Sequence, residues 1–268
     1  MSVVVRRSLL PGGTYIEDEE MELWSHVVLI RTPNDGVGTG LLLKKNYVLT
    51  SHSVVKTYID PFEFTIHLGQ QVSNAFQVFI HPHEDLAVLK IHPPMKKTTR
   101  LPAPHSPKGF FWPISQQDPK PNSTIKLYGY GSVSVSGSGS GSPSSSSASH
   151  HHHGIPSSSA PRSHVYLTSK LISVTDKPYL NLPHHPHHHH HHHHIRTKST
   201  ISITSEDVGG PGFLSHGNVV GGILIPSRKS PGQGELMSLA HTRDWVFDAM
   251  KTSCNREEQV FSRMSIGK

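Results

Sequence analysis

The chain has 268 residues, 34% hydrophobic side chains, a formal net charge of +6 and one cysteine, Cys254. That length can bury a substantial core, while one cysteine excludes an intramolecular disulfide. Apart from Arg6-Arg7, the tight basic pairs are Lys44-Lys45 and Lys96-Lys97, and no basic stripe with interleaved aromatics argues for nucleic acid. No run of about eighteen apolar residues suggests a membrane span, and the short apolar start before Arg6 lacks a secretory apolar region. The expected location is therefore intracellular, in the cytoplasm, with secretion open if the amino terminus begins further upstream.

Strand signals dominate the first half. "SHVVLI" (25–30), "GTGLLL" (38–43), "NYVLTS" (46–51), "FEFTIHL" (62–68), "AFQVFIH" (75–81) and "LAVLKI" (86–91) are short, rich in β-branched or aromatic residues, and divided by Gly, Asn, Asp or Pro. A second series follows: "STIKLYGYG" (123–131), "HVYLTSKLISV" (164–174), "STISIT" (199–204), "GFL" (212–214), "NVVGGILI" (218–225) and "LMSLA" (236–240). Only the region after Thr242 has helical spacing, with Trp245, Val246, Ala249 and Met250 on one face. Many short strands and one final helix imply a closed or sandwiched all-β fold, and two six-stranded barrels fit the count.

Two stretches are too poor in apolar residues to offset their ordering entropy, 134–163 (Ser, Gly, Pro and His) and 183–196 (mostly His). They are expected to be disordered insertions. The resulting organisation is an N-terminal extension (1–20), a first barrel (about 21–112), a second barrel (about 113–240), a terminal helix (about 242–252) and a tail (253–268).

In order along the chain, "GTGLLLKKNYVLTSHSVV", "FTIHLGQQ", "FIHPHEDLAVLKI", "LYGYGS", "SEDVGGPGFLSHGNVVGGIL" and "HTRDWVFDAM" resemble segments of the chymotrypsin-like serine proteases. "GTG...YVLT" also resembles disulfide-free intracellular relatives of the high-temperature-requirement type. The resemblance implies two packed six-stranded β-barrels with a C-terminal helix, and an active-site cleft for extended peptides.

It also implies where the reactive groups should be. Ser53 stands where the family has its catalytic histidine, with His52 one residue early; Asp85 stands at the aspartate and Val208 at the nucleophilic serine. A serine protease needs a hydroxyl that an adjacent imidazole can deprotonate, and valine has no such proton. Glu206 replaces a glycine whose amide lines the oxyanion hole, bringing a carboxylate close to where negative charge would develop. Asp207 matches the acidic residue that receives the new amino terminus on activation, Ser202 matches the floor of the specificity pocket, and Gly209, Gly210 and Pro211 keep the turn's backbone pattern.

The expectation is a catalytically inactive homologue whose remnant cleft, including Ser202, Glu206, Asp207, Gly209 and Gly210, binds a protein or peptide partner by strand addition, with no cofactor. Asp85 is expected to cap backbone amides or pair with Ser53 or His52. One alternative is an active endopeptidase with displaced groups, using Ser205 or Ser215. Another is metal binding through His150, His151, His152 and His153, and through His187, His188, His189, His190, His191, His192, His193 and His194, since flexible imidazole runs chelate transition metals.

Overall fold

The computed structural model describes residues 14–15, 26–34, 36–56, 63–96, 112–132, 165–180, 194–197, 201–214 and 219–252. The strands are β1 (Thr14–Tyr15), β2 (Val27–Arg31), β3 (Val37–Lys44), β4 (Tyr47–Thr50), β5 (Thr65–Leu68), β6 (Gln71–Ile80), β7 (Ala87–His92), β8 (Thr124–Ser132), β9 (Val165–Leu180), β10 (His194–Thr197), β11 (Ile201–Ser202), β12 (Pro211–Leu214), β13 (Val219–Pro226) and β14 (Gln233–Ser238). A short helix α1 (His52–Val55) follows β4, and α2 spans 243–252.

β2, β3, β4, β7, β6 and β5 pair in that order into a closed antiparallel barrel. Its interior holds Val28, Ile30, Leu42, Val48, Ile66 and Leu89. The residues between them in sequence, Val27, Leu41, Leu43, Leu49 and Val88, point the other way, into a cluster shared with the second barrel and α2. Neighbouring side chains on a strand face opposite ways. Burial of both faces therefore explains why β2 to β4 read as continuous apolar runs rather than alternating ones.

β8 pairs with both β9 and β12, and the path β9-β10-β14-β13-β12-β8 closes a second ring of six strands. β1 is added at β9 and β11 at β14. Ile125, Leu127, Ile172, Val174, Ile195, Leu224 and Leu236 fill this barrel. Between the barrels lie Tyr128, Phe213, Ile223 and Met237, closed by Val246, Ala249 and Met250 of α2; the Tyr47 hydroxyl also donates to the Met250 carbonyl at 3.2 Å.

One boundary is corrected. The histidine-rich insertion was expected to run to residue 196, but His194 begins β10 and pairs with Leu180 and Met237. A run of identical residues conceals the point where backbone pairing resumes. Segment 134–163 and residues 183–193 lie outside the described residues. No helix among the described residues is long and apolar enough to cross a membrane.

Candidate functional site

The walls of the two barrels meet at a cavity of about 480 Å³. Ser53, Val54, Val37 and Lys56 line it from the first barrel, and Ile203, Ser205, Val208 and Ser227 from the second.

α1 begins directly after β4. Ser51 caps it, its hydroxyl accepting from the Ser53 amide at 3.0 Å. Asp85, from the turn before β7, faces the same amide. Its Oδ1 accepts from Ser53 N at 2.6 Å and from Ser51 Oγ at 2.8 Å, and its Oδ2 accepts from Ser53 Oγ at 2.6 Å. The carboxylate is thus held by three donors from one helical turn. His52 is half-buried at the start of that turn and is not among the residues lining the cavity.

The second wall is the loop between β11 and β12. Ser205–Asp207 form a single 3-10 turn. Asp207 is fully buried, and its Oδ2 accepts from Thr204 N at 2.9 Å and Thr204 Oγ1 at 3.0 Å, closing a capping box. Val208 is 8% exposed and packs into the first-barrel cluster with Val54 and Val55. Gly209 has φ of 86°, and a Cβ there would strike the Thr39 carbonyl and the Thr50 hydroxyl; at Gly210 it would strike the Tyr128 carbonyl. Only glycine satisfies both demands at 209.

Thr39 ties this loop to the first barrel. Its amide donates to the Val208 carbonyl at 2.8 Å, and its hydroxyl donates to the Glu206 carbonyl at 2.6 Å while accepting from Tyr130 N at 2.9 Å.

Among solved structures, the scabies mite inactivated protease paralogue S-D1 is similar over 90% of this chain and 97% of its own, with 16% identity and a TM-score of 0.60. Human heparin binding protein is similar over 90% and 96%, at 15% identity and TM-score 0.59. Mouse neuropsin, a serine protease, is similar over 89% and 98%, at 12% identity and TM-score 0.58. The fold is that of the chymotrypsin-like serine proteases. No family model matches the chain, and no curated protein matches it.

Within the trypsin-like fold, Ser53 and Val208 occur together on the cavity wall, and Asp85 stands behind Ser53. His52 is not part of that group. Such proteases stabilise the tetrahedral oxyanion with backbone N–H groups, one of them on the nucleophile itself. Here the Val208 N–H donates to the Ser205 carbonyl at 3.3 Å within the 3-10 turn. Ser205 is exposed in the cavity and its hydroxyl donates to Glu206 Oε2 at 3.1 Å; no imidazole is among the described lining residues. Ser215 lies outside the described residues.

Ser202 pairs with Gln233 and does not line the cavity; its neighbours Ile203 and Thr204 do. Ile203 would meet any Cβ at Gly234 at 2.8 Å, so its side chain fills space between the strands there.

One group of residues escaped sequence reasoning. Ser227 lines the cavity and donates to Glu235 Oε1 at 2.6 Å, while Glu235 Oε2 lies 2.5 Å from His194 Nδ1. The His194 hydrogen bond is the main cause holding the Glu235 carboxyl below the ordinary glutamate value; partial burial opposes it, and Ser227 and Lys229 reinforce it. The turn after β13 supplies Ser227, β14 supplies Glu235 and β10, earlier in the chain, supplies His194, and no motif marks the group. His194 is therefore a buried partner of a carboxylate. Among the described residues no cluster of three or more His, Cys, Asp or Glu could hold a metal ion, and the other candidate histidines, 150–153 and 187–193, lie outside those residues.

Proposed function

We propose that this protein is a non-catalytic member of the trypsin-like fold that uses the former substrate cleft to bind a protein or peptide. Val208 carries the reading: a buried hydrocarbon side chain occupies the place of the nucleophile. Its surroundings support the same conclusion. Ser53 holds the position of the general base, yet a hydroxyl cannot take a proton at neutral pH as imidazole does, and this one already donates to Asp85. The Val208 amide, bonded within its own turn, is withdrawn from oxyanion stabilisation. A neighbour of the same fold is itself described as an inactivated protease paralogue.

What the cleft retains is shape. It offers Val54, Ile203, Val208 and Pro226 as apolar contacts beside several hydroxyls, a mixture suited to an extended chain with alternating side chains. The deciding experiment treats the purified protein with a fluorophosphonate probe and, separately, with a fluorogenic peptide mixture. The expected result is no covalent adduct and no turnover above buffer. An adduct lost on Ser205→Ala or Ser215→Ala would overturn the proposal in favour of a displaced nucleophile.

A further inference from the structure

The lining of the cleft has a polarity that narrows what it can accept. Ser53 and Ser227, on opposite walls, both have their hydroxyl protons committed to carboxylates, Ser53 to Asp85 and Ser227 to Glu235, each at 2.6 Å. A hydroxyl whose proton is committed presents oxygen lone pairs to its other neighbours. Both serines therefore act towards a ligand as acceptors, and they suit N–H donors such as the amides of an extended peptide. A ligand carboxylate placed between them would meet lone pairs and, behind those, two negative charges.

Formal charge is distributed unevenly. Lys56, exposed at the end of α1, is the one charged residue among the described residues that line the cavity. The carboxylate of Glu206 lies beside Ser205 on the opposite wall. On the first-barrel side the described lining thus offers the Lys56 ammonium, while the second-barrel side holds Glu206 beside Ser205 and the exposed Arg228 and Lys229 just beyond Ser227; Val54, Val208, Ile203 and Pro226 lie between them.

Resting on the reading of the cleft as a peptide site, we propose that it selects an extended segment with apolar side chains over Val208 and Ile203 and an acidic residue at the Lys56 side. Backbone amides of the segment donate towards Ser53 and Ser227. Its carboxylate meets the Lys56 ammonium near solvent, so the charge supplies selectivity and direction while the apolar contacts supply most of the affinity.

Fluorescein-labelled peptides in a Gly-Ser frame test this, each with a central Leu-Leu pair flanked on one side by Glu-Glu, Gln-Gln or Lys-Lys. Fluorescence anisotropy with the full chain should give the Glu peptide about threefold to tenfold tighter binding than the Gln peptide at low salt, and the difference should shrink near about 0.5 M NaCl. Lys56→Gln should erase the difference and Lys56→Glu should reverse it in favour of the Lys peptide; both changes are at an exposed position. Val208→Glu should abolish binding of every leucine peptide, and Pro231→Trp, at an exposed lining position, serves the same purpose if Val208→Glu fails to fold. Equal binding of Glu and Gln peptides that remains sensitive to these blocking changes would overturn the acidic preference and leave the peptide site intact. Absence of leucine-dependent binding, or binding indifferent to both blocking changes, would overturn the peptide site as well. Dimerisation of the protein broken by the blocking changes would make a second copy the occupant and overturn the proposal.

Discussion

Asp85 receives both the backbone amide and the hydroxyl of Ser53, each at 2.6 Å, from the first turn of α1. The carboxylate anchors the start of a helix. Asp85→Ala should therefore destabilise the fold by about 1–3 kcal/mol, the range for leaving partly buried donors unsatisfied. A shift in the urea midpoint measures it. An unchanged midpoint would show that water replaces the carboxylate without cost.

On the proposed reading, a hydroxyl at residue 208 alone should not supply protease chemistry. Val208→Ser should remain unlabelled by fluorophosphonates, because Ser53 cannot act as the base and the Val208 amide stays bonded to Ser205. Adding Ser53→His supplies the base beside Asp85, and adding Glu206→Gly relaxes the turn that withdraws the amide. The triple variant should label measurably above the single one in a timed gel assay. Labelling of Val208→Ser by itself would reveal a base that this reading omits.

Two glycines with positive φ separate the effect of space from the effect of backbone conformation. Gly209 has φ of 86° with backbone and hydroxyl atoms where a Cβ would go, whereas Gly232 has φ of 74° with nothing within 4 Å. Gly232→Ala should cost about 1 kcal/mol, from conformation alone, and Gly209→Ala should exceed about 3 kcal/mol because the loop must also shift. Thermal or chemical denaturation of the pair decides it, and equal losses would contradict the packing around residue 209.

The carboxyl of Glu235 is held below 4.5, principally by its hydrogen bond with His194. A depressed folded-state value means that its contribution to stability is present above the unfolded value and is lost as pH falls through the folded one. The native protein should therefore lose stability as pH drops from about 4.5, and Glu235→Gln should lose less across that window. Urea titrations at a series of pH values measure the difference; parallel curves would refute the link.

Much of the fold is legible in the sequence. The apolar runs around Val28, Leu42 and Val48 mark strands buried on both faces, and the spacing of Trp245, Val246, Ala249 and Met250 marks α2. The Gly209-Gly210-Pro211 frame locates the loop at which to look for a nucleophile. Two kinds of information were not local enough to read. β10 is hidden because the backbone pairing of His194 with Leu180 and Met237 leaves no trace in a histidine run. The Ser227, Glu235 and His194 contacts join the turn after β13 to β14 and to β10, and the bonding of the Val208 amide depends on loop curvature rather than residue type.

Thr39 has a wider consequence. It is fully buried on the opposite barrel and grips the carbonyls of Glu206 and Val208. The crest is moulded from outside, by partners indifferent to which side chain Val208 carries. A loop held in this way should keep its course whatever side chain residue 208 carries.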